Sequence, residues 1–258
     1  EVGPAEPASG RRSLLSEPAK TTGHGWWPYL VPYLAFLGAV ELSIRMPDAG
    51  AAIMLVVKPA LPLFAIAYFW RRGAYPELRQ GGLSFFGASQ DILFGLALAI
   101  LWMAPFVLIA AIRPDQSDPF DPDRFGTQWA GIVLALRMFG YAVVTPLFEE
   151  IFIRSFVMRY SEVYAQRGDF RDVPLAHYTL TSFIATTVIF TIGHVPWEWW
   201  VAVPWVMLTN LWFYYRKNLW ALILVHGVTN AAILVVAIVG ENWFTDAQGN
   251  PISLWFFV

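Results

Sequence analysis

Three short stretches of this sequence set acid, base and amide side chains inside long apolar runs. "PLFEEIFIR" carries Glu149, Glu150 and Arg154, "FTIGHV" carries His194 four residues after Phe190, and "LVHGVTNAAI" carries His226 with Asn230 four residues later. On a helix, residues four apart are neighbours, so Glu150 can pair with Arg154, while Glu149 points about 100° away and is left facing something else. Phe190 shares a face with His194, and His226 shares one with Asn230. A carboxylate without a local partner can take a proton, imidazoles can share or relay it, and an amide N–H can donate to developing negative charge. Taken singly, each group has a plainer reading: a membrane histidine is often a helix–helix hydrogen-bond partner, and a Glu–Arg pair is often a structural tie. Together, two Glu, two His and one Asn on three helices would bring acid, base and donors into one cavity. Ionisable groups inside a membrane are functional sites by default, because an unpaired aspartate, lysine or arginine at mid-span already costs about 2.5–3.5 kcal/mol.

The elements that must hold these groups are membrane helices. The chain has 258 residues, 57% hydrophobic and only 14% charged, too few charges to cover a soluble domain of that length. Seven stretches are apolar and long enough to span, near 27–45, 51–70, 90–112, 128–158, 176–194, 199–215 and 218–240. The expected fold is therefore all-α, a polytopic membrane bundle of about seven transmembrane helices. The fourth stretch is too long for one straight crossing, and Pro146 is expected to kink or divide it. Trp26 and Trp27, Tyr68 and Trp70, Trp199 and Trp200, and Tyr214 and Tyr215 mark span ends, where amphipathic rings favour the headgroup layer. The first twenty-five residues, rich in Pro, Gly, Ala and Ser, read as a disordered cytoplasmic tail and not as a signal peptide; residues 26–258 read as one membrane domain with its motif-bearing core at 128–240. The closing "PISLWFFV" is too short to span and is expected to lie in the interface.

Charge gives an orientation and excludes partners. Arg71, Arg72 and Arg79, then Arg159, Arg167 and Arg171, then Arg216 and Lys217 fall on one side with Arg11, Arg12 and Lys20 of the tail. Asp48, the acidic "RPDQSDPFDPDRFG", Glu198, Glu241 and Asp246 fall on the other, so the N-terminus is expected to be cytoplasmic. A net charge of −2 gives no reason to expect nucleic acid, and the absence of cysteine removes disulfides, thiolate nucleophiles and Cys-ligated zinc. Lys58, Arg137, Glu41 and Asn210 are read as cavity-lining, snorkelling or helix-tying groups; Asn210 is the one expected to line the site, Phe190 beside it. "GHVPWEWW" reads as a Trp-rich turn capping the cavity, with Glu198 a solvated loop acid.

The ordered set "EEIFIR", "FTIGH" and "HGVTN" resembles the EExxxR, FxxxH and HxxxN motifs of the CAAX protease and bacteriocin-processing family, which includes the type II CAAX prenyl endopeptidases. The resemblance covers about residues 128–240 and implies an intramembrane endopeptidase. Peptide hydrolysis needs an activated water, donors for the oxyanion and a proton for the leaving amine. In that scheme Glu149 is the general base, His194 shares the water, His226 and Asn230 form the oxyanion hole, and Arg154 holds Glu150. No cofactor is expected; the alternative is zinc on Glu149, His194 and His226, although Asn is a poor ligand and no HExxH motif is present. The substrate is expected to be a membrane-associated polypeptide cut near its C-terminus or in a membrane segment. The setting is expected to be a bacterial inner membrane and the role protein processing or sorting. The main non-enzyme rival is a transporter or channel with a buried ionisable path.

Overall fold

In lipid every backbone N–H and C=O must be satisfied within its own segment, so apolar runs of this length fold as helices. The computed structural model describes residues 25–46, 50–79, 81–114, 120–240 and 242–257; residues 1–24 of the expected tail, Asp48 and Glu241 lie outside these. The helices are α1 (Trp27–Arg45), α2 (Ala51–Arg71), the short α3 (Pro76–Arg79), α4 (Phe85–Leu108), α5 (Thr127–Val163), α6 (Leu180–Ile192), α7 (Trp199–Arg216) and α8 (Leu219–Val239). Among the described residues the only β pairing outside the helices is an isolated bridge between Thr245 and Pro251.

Five helices, α1, α2, α4, α5 and α8, are long and apolar enough to cross a bilayer. The other two expected spans fall short of that measure: α6 has 13 residues, and the 18 residues of α7 are diluted by Trp, Tyr, Thr and Asn. At 1.5 Å per residue α6 is about 20 Å long, against about 30 Å of hydrocarbon. Its exposed ridge, Leu180, Ile184, Val188 and Ile192, repeats every fourth residue and so forms one lipid-facing stripe. Local sequence sets where these helices begin. Thr179 and Ser182 form a reciprocal capping box at the start of α6. Lys217, at φ +50°, reverses the chain between α7 and α8, and Asn218 Oδ1 accepts the Trp220 N–H at 2.9 Å.

Pro146 neither ends α5 nor divides it. The helix runs through 37 residues, with π-helical turns at Gly140–Val144 and Ile151–Val157. In the first of these the Thr145 N–H reaches back five residues to the Gly140 carbonyl. The next carbonyl, Tyr141, would need the N–H of residue 146, which proline lacks. Asn230 supplies the missing donor, its Nδ2 lying 2.8 Å from the Tyr141 oxygen. The adjacent Gly227 lets α8 come this close: a Cβ there would sit 2.6 Å from the Ala142 carbonyl oxygen.

Helix α8 is the centre of the bundle, burying Leu222, Val225, Thr229, Ile233 and Ala237 along one stripe. It packs on α4, where Thr229 Oγ1 donates to the Gly95 carbonyl at 3.0 Å. Two further polar clusters fix the rim on the arginine-rich face. Buried Asp91 accepts from Arg216 Nε and Trp212 Nε1 at 2.9 and 2.8 Å. Glu77 of α3 accepts from Ser155 and pairs with Arg159 at 3.4 Å. Arg159, counted in the sequence as a loop cation, is thus a buried tie.

The C-terminal segment folds back onto the bundle. The Ile252 N–H returns to the Phe244 carbonyl at 2.8 Å, and Ile252, Leu254 and Phe257 are buried. Phe257 meets Phe106 edge-on with ring centroids 5.1 Å apart, and its carbonyl accepts from Tyr141 Oη at 3.2 Å. The segment's aromatic side chains join an aromatic cluster with Phe106 and Trp197.

Candidate active site

Glu149 and Glu150 sit at the end of the α-helical turn Thr145–Glu150 in α5, between the two π stretches, and face different surroundings. Glu150 is sealed inside, its side chain 1% exposed, whereas that of Glu149 is 17% exposed and lines a cavity of about 950 Å³. His194, His226 and Asn230 line the same cavity, so the three motif-bearing segments converge as their sequence order suggests.

His226 stands between the two carboxylates. Its Nδ1 is 3.0 Å from Glu150 Oε1, and its Nε2 is 3.9 Å from Glu149 Oε2. A buried carboxylate on Nδ1 orients the ring and makes Nδ1 the donor, turning Nε2 to the cavity. His194 Nδ1 lies 2.9 Å from the Phe190 carbonyl, which can only accept, so Nδ1 carries the hydrogen and Nε2 is left with its lone pair. Trp205 holds the His226 ring edge to face at 4.8 Å, and Phe190 stacks on Trp205 at 4.9 Å. Trp102 lies 5.5 Å from the His194 ring.

The other sequence candidates fall behind this layer. Arg154 is fully buried and forms an ion pair with Glu150 at 3.6 Å, but its hydrogen bond goes from Nη2 to Thr209 Oγ1 at 2.7 Å. Asn210, the next residue, is fully buried and donates to Thr186 Oγ1 at 2.9 Å, tying α7 to α6 rather than facing the cavity. Phe190 does line it. So do Lys58 and Arg137, for which lining was one of three readings, and Tyr141; Glu198, expected as a solvated loop acid, lines the cavity as well. Glu41 pairs with Arg45 at the exposed end of α1. The turn after His194 lines the cavity through Val195 and Glu198, and Trp199 Nε1 donates to the His194 carbonyl at 3.0 Å. Thr209 and Trp205 were legible only as residues of the helix between the two histidines, four apart on one face.

The cavity also draws on Ser43 and Ala51 at the α1–α2 end and on Phe120 and Phe125 of the α4–α5 connection. Short connections make successive helices antiparallel, so these segments share one face of the bundle. The cavity opens there, away from the face that carries Arg71, Arg216 and Lys217.

Zinc would need three ligands converging on one point. Among the described residues no three His, Asp or Glu side chains are so arranged.

A family model described as type II CAAX prenyl endopeptidase Rce1-like matches residues 128–232, the stretch that supplies every one of these motif residues. No curated protein and no solved structure matched the chain. Five apolar helices long enough to cross a bilayer and this domain describe an integral multi-pass membrane protein with an intramembrane protease domain. Residues 128–232 are thus similar to the type II CAAX prenyl endopeptidase domain of the CAAX protease and bacteriocin-processing family.

Proposed function

We propose that the protein hydrolyses a peptide bond of a membrane-associated polypeptide with water activated by Glu149. The supporting observation is the contrast between the two adjacent carboxylates. Glu149 reaches the cavity and Glu150 does not, so only Glu149 can meet a substrate. Glu149 takes one proton from water, and His194 Nε2 accepts a hydrogen bond from the second. The water oxygen adds to the carbonyl carbon. Nε2–H of protonated His226, its ring held by Glu150, and the amide N–H of Asn230 not bound to Tyr141 donate to the oxyanion. Collapse breaks the C–N bond, and Glu149 returns its proton to the leaving nitrogen. Arg154 acts through Glu150 and so is a positioning residue.

Because the cavity opens away from the arginine-rich loops, the positive-inside bias puts its mouth on the extracytoplasmic side. The substrate then enters from that side, and the role is protein processing or sorting in a bacterial membrane. The test is to reconstitute the protein and its Glu149→Gln variant, incubate each with membranes lacking the protein, and compare the polypeptides by mass spectrometry. The variant is expected to keep its thermal unfolding profile and lose cleavage by at least about 10²-fold. Unchanged cleavage, or an unfolded variant, would remove Glu149 from the chemistry.

A further inference from the structure

The same cavity contains two cations for which hydrolysis has no use. Lys58 of α2 and Arg137 of α5 both line it, and their charges act on each other. Pro59 packs against Gly140, one helical turn from Arg137, so α2 and α5 meet where the two cations enter the cavity. Neither forms an ion pair with a carboxylate among the described residues. Arg137 stacks over Phe120 at 5.0 Å, and its Nε is buried without a hydrogen-bond partner. The acids that share the cavity are Asp121 at the rim, which caps the Asp123 N–H at 2.9 Å, Glu198 and Glu149; Arg124 also lies at the rim. Two adjacent like charges in an apolar bundle are costly unless an anion joins them.

From this we infer that Lys58 and Arg137 form an anion subsite that takes a carboxylate of the substrate, resting on the peptidase reading above. Arg137 precedes Glu149 by twelve residues on one helix, about 18 Å toward the cavity mouth. An extended peptide covers about 3.3–3.6 Å per residue, so a carboxylate held there sets the scissile bond roughly five residues away. The subsite would make the enzyme measure its cut from an anionic group, either a free C-terminal carboxylate or an acidic side chain. The forked guanidinium suits a planar carboxylate, and Lys58 adds a point charge.

The test uses the full chain in phosphatidylcholine nanodiscs and apolar twelve-residue peptide pools made in three forms: free C-terminal carboxylate, C-terminal amide, and amide with one internal Asp. Capture is read on the Glu149→Gln protein and cleavage on the wild type, both by mass spectrometry. The carboxylate pool, the Asp pool or both should be enriched about tenfold or more over the plain amide, as a charge-assisted hydrogen bond implies. Whichever is enriched names the source of the carboxylate. Lys58→Met with Arg137→Met should erase the preference, and Arg137→Lys should retain part of it. Equal capture of all pools, or no capture of any, overturns the subsite, as does a preference that survives the double substitution. A subsite that instead takes lipid phosphate would show no peptide preference but Lys58- and Arg137-dependent retention of added phosphatidylglycerol, which also overturns it. Capture without cleavage would leave the subsite standing and remove the peptidase; cleavage without preference would do the reverse.

Discussion

Asn230 touches both the backbone break in α5 and the catalytic cavity, and two substitutions separate these functions. Asn230→Ala removes the donor at 2.8 Å from the Tyr141 carbonyl, which then has no N–H to accept because residue 146 is proline. A buried polar group left without a partner costs about 1–3 kcal/mol, so this variant should unfold at lower denaturant by that amount. Pro146→Ala places an N–H five residues beyond Tyr141, where the π pattern needs it. In the Asn230→Ala background it should recover most of the loss, giving a coupling of about 1–2 kcal/mol between residues in direct structural communication. Activity should behave differently. If Asn230 also donates to the oxyanion, cleavage falls by about 10²–10³ in Asn230→Ala, and Pro146→Ala does not restore it. The assays are equilibrium unfolding in mixed micelles and peptide cleavage on the same four proteins. Stability effects that simply add, within about 0.5 kcal/mol, would refute the account of the proline break.

Arg154→Ala strands Glu150 in a fully buried site and should destabilise by about 3–5 kcal/mol, with Arg154→Lys intermediate; unfolding midpoints of the purified proteins check this. Gly227→Ala should cost about 1–3 kcal/mol, since its Cβ would meet the Ala142 carbonyl at 2.6 Å and force α8 away from α5; unchanged stability would contradict that close approach. Chelation should leave cleavage unchanged. Loss of activity on chelation, recovered on adding zinc, would overturn the roles given to Glu149 and His226.

The arrangement of helices and the convergence of the motifs were largely legible in the sequence. Apolar length reveals a span, and a spacing of four reveals a shared face, as with His226 and Asn230. What each side chain reaches across the bundle was not legible. Spacing pairs Glu150 with Arg154, and the 3.6 Å ion pair is there; it did not reveal that Arg154 also donates to Thr209, fifty-five residues away, or that Glu150 meets His226. The helix is not divided at Pro146 because another helix supplies the missing donor, which local rules do not include. Arg159 looked like a topogenic loop charge because nothing in its neighbourhood announces Glu77. Lys58 and Arg137 gave no common signal, being seventy-nine positions apart and joined only by the packing of α2 on α5.

The shortness of α6 reaches beyond the protein. Its lipid-facing ridge ends at Ile192, about 18 Å from its start at Leu180, while the surrounding hydrocarbon is about 30 Å thick. A hydrophobic mismatch of that size is met by local thinning of the bilayer, at a fraction of a kcal/mol per Å. Water and headgroups are thereby drawn down toward the depth of His194. A polypeptide approaching beside α6 crosses less oil before its backbone can unwind, and the protein itself is favoured in thinner bilayers.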